Sequence, residues 1–192
     1  MKTFPHRLIL ASKSPRRQQL LRGLGFNFEI VTREIDESFP SHLKAQEIPL
    51  YLSKIKAKAF TDLLDDKTIV LTADTVVWIN DKVLNKPENE EEAYQMLRLL
   101  SGNMHEVFTG VTIRSKFKHQ SFYSKTNVYF KYLNDDEIWY YIKHFQPFDK
   151  AGAYGAQEWI GYIAIEKIEG SYFNVMGLPV KEVYEELIKF VE

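Results

Sequence analysis

The stretch RLILASKSPRR, residues 7–17, contains a short apolar run that is followed directly by the start of a predicted helix. Residues 7–11, of which residues 8–11 are apolar, are typical of a buried strand. Ser14 followed by Pro15 is typical of a helix N-cap and a first helical position, and the leucine spacing beyond them continues the helix until Gly25. A strand that turns directly into a helix is the building unit of α/β proteins, so we expect that class.

The rest of the chain continues this mixture of strand and helix patterns. The patterns predict strands at residues 26–31, 68–72, 76–79, 82–84, 106–115 and 120–132, and helices at residues 48–64, 87–100, 135–145 and 180–191. The pair Asn80–Asp81 is typical of a hairpin turn, and the segment between residues 145 and 180 is predicted to be irregular. Because no repeat, low-complexity tract or linker interrupts the sequence, residues 1–192 are predicted to form a single mixed α/β domain.

Composition and charge exclude several classes of protein. The formal net charge is −1, so no basic excess marks the chain as a nucleic-acid binder. The absence of cysteine excludes disulfides, thiol nucleophiles and thiolate metal sites. The apolar run at residues 8–11 is too short for a signal-peptide core or a membrane span. We therefore expect a cytoplasmic protein that binds neither nucleic acid nor membrane.

Two arginines, Arg16 and Arg17, stand in the first turn of the first predicted helix. The positive end of the helix dipole disfavours cations there by roughly 0.3–1 kcal/mol each. A bound anion would reverse that sign, and backbone N–H groups, a nearby hydroxyl and two guanidinium groups together make a phosphate site. The alternative is that both arginines point into solvent, and spacing alone does not decide between the two.

Asp74 is a second candidate because it follows an apolar strand pattern. Ligands of α/β proteins bind beyond the carboxyl ends of strands, where a carboxylate can hold Mg²⁺ or accept a proton from water. An aspartate that only begins a turn is the alternative.

Basic residues and one acidic residue complete the candidate set. Lys54 and Lys58 share a helix face by their i, i+4 spacing, whereas Lys56 is turned roughly 160–200° from them. That difference indicates that one of these lysines is not simply solvated. Lys86 stands apart, before a proline, and Glu37 lies in an acidic loop as either a surface charge or a metal ligand.

Three common kinds of site have no support in the sequence. The phosphate-binding pattern GxxxxGK[ST] does not occur, which argues against a P-loop enzyme. The pattern GxSxG is also absent, so an α/β-hydrolase is not indicated. The five histidines show no zinc-type pairing.

A series of short motifs, spread over nearly the whole chain, resembles the Maf (septum formation) family. They are LASKSPRR at residues 10–17, KA at 56–57, ADT at 73–75, KP at 86–87, HEVFTGV at 105–111, DKAGAYGAQ at 149–157 and GSYFNVMGLP at 170–179. Their shared order and spacing carry the resemblance. The chain departs from the family pattern at Asn85 and at Glu158, both of which stand where a glycine is usual.

The resemblance implies a fold and a set of site residues. The implied fold is an elongated, twisted mixed sheet with flanking helices and two lobes around a deep cleft, similar in architecture to the inosine triphosphatases. Asp74 would be the proton acceptor and, together with Glu37, a ligand of a divalent metal, Mg²⁺ or Mn²⁺. The implied substrate-binding residues are Ser12, Arg16, Arg17, Lys56, Thr75, Lys86 and Gln157.

The resemblance also implies an activity, hydrolysis of a nucleoside triphosphate to the monophosphate and pyrophosphate. Arg16, Thr75 and Gln157 match the subgroup that prefers dTTP and UTP. The alternatives are a 7-methyl-GTP or other modified-nucleotide pyrophosphatase, with Glu158 contacting the base instead, and a non-catalytic nucleotide sensor that regulates division. The resemblance leaves open whether the enzyme removes modified nucleotides, whether it is linked to cell-division arrest and whether it forms a homodimer.

Overall fold

The computed structural model describes residues 4–191. The strands are β1 (Arg7–Leu10), β2 (Glu29–Ile30), β3 (Thr68–Ile79), β4 (Lys82–Leu84), β5 (Met104–Arg114), β6 (His119–Phe130) and β7 (Ile165–Glu169). The helices are α1 (Pro15–Gly23), α2 (Glu47–Lys58), α3 (Glu90–Leu100), α4 (Asp135–Phe145), α5 (Trp159–Ala164), α6 (Tyr172–Val175) and α7 (Val180–Val191), with 3₁₀ turns at Thr61–Leu63 and Ala151–Ala153. The predicted α/β class is confirmed.

The seven strands form one mixed sheet in the order β2-β1-β3-β5-β6-β7, and β4 pairs with β3. β1 runs parallel to both of its neighbours, with Ile9 opposite Glu29 of β2 and Val70 of β3. β4 is antiparallel to β3, and β7 is antiparallel to β6. Leu8, Ile9 and Leu10 are all fully buried, as expected of a parallel strand that is covered on both faces.

The chain divides into two compact units, which are described separately below. The first unit comprises the residues up to Asp74, residues Thr109–Ser124 and the residues from Gly177 onwards. The second unit comprises residues Thr75–Phe108 and Lys125–Met176. Three of the boundaries between them fall within β3, β5 and β6, and the fourth falls between α6 and α7. The prediction of a single domain over residues 1–192 stays a prediction.

The core of the first unit joins α1 and α7 to the sheet. Leu21 of α1 and Leu187 of α7 are fully buried with Leu8 and Val111 of the strands. The hydroxyl of Ser14 accepts a hydrogen bond from a backbone N–H of the first turn of α1, and proline follows it at the first helical position, as predicted.

α2 approaches β5 so closely that only glycine fits at residue 110. A Cβ on Gly110 would lie 2.4 Å from the carbonyl carbon and oxygen of Pro49 and 2.5 Å from the amide nitrogen of Leu50. These are backbone atoms, so α2 cannot make room by rotating a side chain. The contact therefore fixes the distance of α2 from the sheet.

The second unit is built around α3, α4 and the segment that follows α4. Asn89 caps α3 by accepting from the backbone N–H of Glu92, and Asn134 with Glu137 forms a capping box at the start of α4. Tyr94 of α3 stacks on Trp139 of α4, with ring centroids 5.1 Å apart. The caps at Asn89 and Asn134 explain why α3 and α4 begin where they do.

The two strands predicted at residues 68–72 and 76–79 form one continuous strand, β3, which corrects the expected position of Asp74. The strand runs from Thr68 to Ile79, so Asp74 lies within a strand and not at the end of one. Partners on both halves sustain the strand, since β1 pairs with residues 68–71 and β4 pairs with residues 77–79. Asp74 still lies beyond the last residue that pairs with β1.

Other predicted bounds also change. The strand expected at residues 26–31 pairs only at Glu29–Ile30, the helix expected at 48–64 ends at Lys58, and the helix expected at 87–100 begins at Glu90. The segment between α4 and α7 is more regular than predicted, because it contains α5, β7 and α6. β7 lies at a sheet edge with most of its residues exposed, so it shows no apolar alternation.

Within residues 4–191, no helix is both long and apolar enough to span a membrane.

Candidate active site

The position of Asp74 follows from the alternation of side chains along β3. Thr72 and Asp74 lie two residues apart and share one sheet face. Thr72 Oγ1 donates to the carbonyl of Ser53 on α2 at 2.7 Å, and Ser53 Oγ lies 3.0 Å from Thr112 Oγ1 on β5. Lys56, almost one turn after Ser53, reaches Asp74 with Nζ 2.5 Å from Oδ1. Docking of α2 through Ser53 therefore brings Lys56 to Asp74.

Glu37 shares the same lysine. Lys56 Nζ lies 2.9 Å from Glu37 Oε1 as well as 2.5 Å from Asp74 Oδ1. The side chains of Lys56 and Asp74 are only 12% and 11% exposed, whereas that of Glu37 is 51% exposed. A nearly buried ammonium needs such partners, because an unpaired buried charge is costly. The prediction that one of the three α2 lysines is not simply solvated is confirmed.

The loop that carries Glu37 is tied down on either side of it. The guanidinium of Arg33 forms two hydrogen bonds to the carboxylate of Asp62, at 2.6 and 2.7 Å, and also donates to the carbonyl of Ala59. Asp36 accepts from the backbone N–H and the hydroxyl of Ser38, each at 2.9 Å, and these bonds lower the pKa of Asp36. Arg33 carries no local signal in the sequence, because its partner Asp62 lies 29 residues away.

Arg17, a residue of α1, is hydrogen-bonded to the segment before α7. Its Nε donates to the carbonyl of Gly177 at 2.8 Å. Burial lowers the pKa of the Arg17 guanidinium below its ordinary value, and the carboxylates of Asp74 and Glu37 act in the opposite direction. Arg17 is thus electrostatically coupled to both carboxylates, and the alternative that both arginines point into solvent is wrong for Arg17. Arg16 is half-buried beside it.

Ser12 stabilises the loop between β1 and α1. Its hydroxyl is buried and accepts from the backbone N–H of Ser14 at 3.2 Å, while its carbonyl accepts from Gln18 Nε2 at 3.3 Å. The first turn of this nine-residue helix carries two guanidinium groups, and the hydroxyl of Ser12 lies in the loop directly before it. That is the combination expected of an anion site.

The other two lysines of α2 lie on a different face from Lys56. Lys54 and Lys58 are exposed and line a hollow of about 290 Å³ together with Arg114 and His119. The helix thus presents one lysine to the carboxylates and two to the surface, as the spacing predicted.

Three of the predicted substrate-binding residues belong to the second unit. Thr75 follows Asp74 on β3 and is half-buried, and Lys86 is exposed just after β4. Gln157 lies in the turn before α5, where its Oε1 is buried and accepts no hydrogen bond from residues 4–191. Their substrate-binding roles stay predictions.

The donor set of the first unit suits a hard cation. Glu37 and Asp74 are close enough to contact one ammonium group, and Mg²⁺ commonly uses one or two carboxylates together with substrate oxygens and waters. Residues 4–191 contain no group of three or more acidic or histidine side chains suited to a metal. Two carboxylates would leave most of the coordination sites of a Mg²⁺ ion to other oxygens.

His105 is the one histidine in the motifs that carried the resemblance, and it is buried. Its Nε2 lies 2.8 Å from Tyr154 Oη, and its ring packs edge-on against Phe130 and Tyr154. Burial lowers the pKa of His105 to about 3. The ring is therefore neutral at pH 7 and belongs to the aromatic core of the second unit.

Comparison with known proteins agrees with the motifs. A family model described as Maf-like protein matches residues 7–190. The chain belongs to the Maf family. A Parabacteroides distasonis protein named "dTTP/UTP pyrophosphatase" is 50% identical over 186 residues, which cover 96% of each chain. A Cytophaga hutchinsonii protein of the same name is 54% identical over 182 residues, which cover 95% of this chain and 83% of that one.

A solved structure shares the fold of this Maf-family chain at low sequence identity. The Staphylococcus aureus Ham1 protein superposes with a TM-score of 0.56 over 96% of this chain and 99% of its own, at 13% identity. At that identity the likeness concerns the fold alone. It agrees with the predicted mixed sheet and flanking helices.

Proposed function

We propose that this Maf-family protein is a nucleoside triphosphate pyrophosphatase that hydrolyses dTTP and UTP to the monophosphate and pyrophosphate. The observation that carries the proposal is the nearly buried Lys56 ammonium shared by Asp74 and Glu37, with Arg17 coupled to both. A nucleotide sensor would need cations for the phosphates, but it would need no buried carboxylate beside them. The two relatives described above support the substrate class, since both are named for it.

Charge supports a polyphosphate substrate. Arg16, Arg17 and Lys56 against Glu37 and Asp74 leave this part of the first unit with a formal charge of +1. A nucleoside triphosphate carries roughly four negative charges at neutral pH, so most of the catalytic effect is charge neutralisation and positioning. We propose that a divalent metal, Mg²⁺ or Mn²⁺, supplies further positive charge there, and that Lys86 is also a substrate-binding residue.

In the proposed reaction, the oxygen of a water molecule forms a bond to the α-phosphorus. The bond from that phosphorus to the oxygen bridging to the β-phosphate breaks, and pyrophosphate leaves with the electron pair. Asp74 accepts the proton of the water, and Lys56 holds the carboxylate in place at 2.5 Å. Ser12 keeps the loop at the start of α1 in the shape that presents the arginines.

The proposed metal would be held by Glu37 and Asp74, the two carboxylates that share Lys56. When bound, it would neutralise charge on the phosphate oxygens. We further propose that the enzyme acts in the cytoplasm on free nucleotides, which fits the absence of a basic excess in the sequence.

The two arginines are expected to respond differently to replacement by alanine. Arg16→Ala should weaken nucleotide binding about tenfold and leave the apo protein as stable as before or slightly more stable, because a cation at the positive end of α1 is removed. Arg17→Ala should weaken binding and also cost about 1–3 kcal/mol of unfolding free energy, since its bond to Gly177 is lost. Isothermal titration with a non-hydrolysable UTP analogue and urea unfolding measure both effects. Equal apo stability of the two variants would contradict the structural role of Arg17.

We propose that Gln157 selects the base and that Thr75 also contributes to this selection. The amide oxygen of Gln157 can accept from N3–H of uracil or thymine, and the amide nitrogen can donate to O4. Cytosine presents the opposite pattern at those atoms, and such a site rejects the wrong pattern strongly. The extra methyl of thymine is worth only about 1–3 kcal/mol in an apolar pocket, so both dTTP and UTP should be accepted.

The decisive experiment is pyrophosphate release from dTTP, UTP, CTP and 7-methyl-GTP in the presence of Mg²⁺. We expect kcat/KM for dTTP and UTP to exceed that for the other two by at least about 100-fold. Gln157→Glu should reduce that preference, because a carboxylate cannot donate to O4. A native preference for CTP or 7-methyl-GTP would refute the proposed substrate class.

A further inference from the structure

Gln157 lies in a turn that is closed by backbone hydrogen bonds. The N–H of Glu158 donates to the carbonyl of Gly155 at 3.0 Å, and the N–H of Gly161 donates to the carbonyl of Glu158 at 2.9 Å. Tyr162 Oη donates to the carbonyl of Gln157 at 2.9 Å. The backbone of residues 155–158 is therefore fixed on both sides of Gln157.

Glu158 is held by two groups from other parts of the second unit. Its Oε1 lies 3.0 Å from Nζ of Lys150, whose side chain is only 8% exposed. Its Oε2 accepts a hydrogen bond from Tyr141, a fully buried residue of α4, and the same phenol oxygen accepts from the N–H of Gly155 at 3.1 Å. Burial and the neighbouring Glu158 carboxylate both raise the pKa of Tyr141. Both carboxylate oxygens of Glu158 thus have a protein partner.

The side chains of Gln157 and Glu158 both fold back against Gly155. A Cβ on Gly155 would lie 2.8 Å from Glu158 Cδ and 3.0 Å from Gln157 Nε2. Gln157 Oε1 is buried, and within residues 4–191 it accepts no hydrogen bond. A buried acceptor without a partner is unfavourable, so a donor from outside residues 4–191 would stabilise it.

We propose that Glu158 is a positioning residue for base selection, acting through Gln157. Lys150 and Tyr141 fix Glu158, and the Glu158 carboxylate and the Gln157 amide nitrogen lie together over Gly155, so that the amide oxygen is held ready for a ring N–H donor. This inference rests on the proposed function, in which that donor is N3–H of uracil or thymine. It also differs from direct contact of Glu158 with the base, since Lys150 and Tyr141 already engage one site on each of its oxygens.

The test compares Glu158→Ala and Tyr141→Phe with a matched control. Glu169 on β7 provides the control, because it also accepts from a tyrosine, Tyr129 at 2.7 Å, and pairs with a lysine, Lys167 at 2.6 Å. For each variant, kcat and KM are measured with UTP and CTP, and thermal unfolding shows that the variant is folded. Tyr141→Phe keeps the buried ring, so it remains informative if Glu158→Ala fails to fold.

We expect Glu158→Ala to lower the ratio of kcat/KM for UTP over CTP by about 10-fold or more, mainly through a higher KM for UTP. Tyr141→Phe should lower the same ratio by a smaller factor, and Glu169→Ala should leave it unchanged. A purely structural role would lower activity on both substrates equally, and that result overturns the inference. So does a ratio that changes in Glu158→Ala but not in Tyr141→Phe, because Glu158 would then contact the base itself. If the native protein hydrolyses neither UTP nor dTTP, the proposed function itself is wrong. The native protein alone gives that result, so failure of the proposed function is distinguishable from failure of this inference.

Discussion

Asp74→Asn is expected to lower kcat for pyrophosphate release by about 10²–10⁴-fold while the protein remains folded. An asparagine has nearly the same shape and can still accept a hydrogen bond from Lys56, but it cannot accept the proton of the attacking water. Lys56 keeps Glu37 as a charged partner at 2.9 Å, so the ammonium is not left unpaired. Initial rates with saturating UTP and Mg²⁺ measure the loss.

Asp66→Asn is the matched control for this change. Asp66 is also ion-paired with a lysine, Lys116 at 2.8 Å, but its side chain is 72% exposed. The control should retain native activity, since surface ion pairs contribute little. Near-native turnover in a folded Asp74→Asn variant would remove Asp74 from the proposed mechanism.

Gly110→Ala is expected to lower the free energy of unfolding by about 3 kcal/mol, the upper end of the usual range for overpacking. The added methyl group would lie 2.4–2.5 Å from backbone atoms of Pro49 and Leu50, so α2 must move away from β5. Lys56 is carried by α2, so its contact with Asp74 should also loosen, and activity should fall with stability. Urea unfolding and UTP hydrolysis measure the two effects.

Gly23→Ala serves as the control because a Cβ at Gly23, at the end of α1, would meet nothing within 4 Å. Alanine there should leave stability unchanged or raise it by up to about 1 kcal/mol. If Gly110→Ala matched Gly23→Ala in stability and activity, the close approach of α2 to β5 would not matter for the site.

Local chemistry explains the parts of the fold that could be predicted. The start of α1 depends on Ser14 and Pro15, and both act within one turn of the helix. The hairpin at Asn80–Asp81 needs two residues with positive φ, and asparagine and aspartate accept that conformation, with φ of 50° and 58° here. Residues 135–145 and 180–191 form helices with the predicted bounds. The family could also be recognised, because its motifs are contiguous in sequence.

Elements that depend on their neighbours were predicted poorly. Two strands were expected at residues 68–72 and 76–79 with a break at residues 73–75, but they form one continuous strand, β3, because β1 and β4 pair with its two halves. β7 was missed because it is stabilised by the edge of β6 and not by an apolar pattern of its own. Strand length is a property of the whole sheet, which a local window does not contain.

The candidate site shows the same division between features set by local sequence and features set by tertiary contacts. The sequence by itself determined which residue types are present, the face that Lys56 takes on its helix, and the motifs that identify the family. Only the tertiary structure decided that Lys56 bridges Glu37 and Asp74 and that Arg17 is tied to Gly177, 160 residues away along the chain. It also decided that Glu158 faces Lys150 and Tyr141. Helical caps and periods act over a few residues, whereas ion pairs form wherever folding brings opposite charges together and excludes water from them.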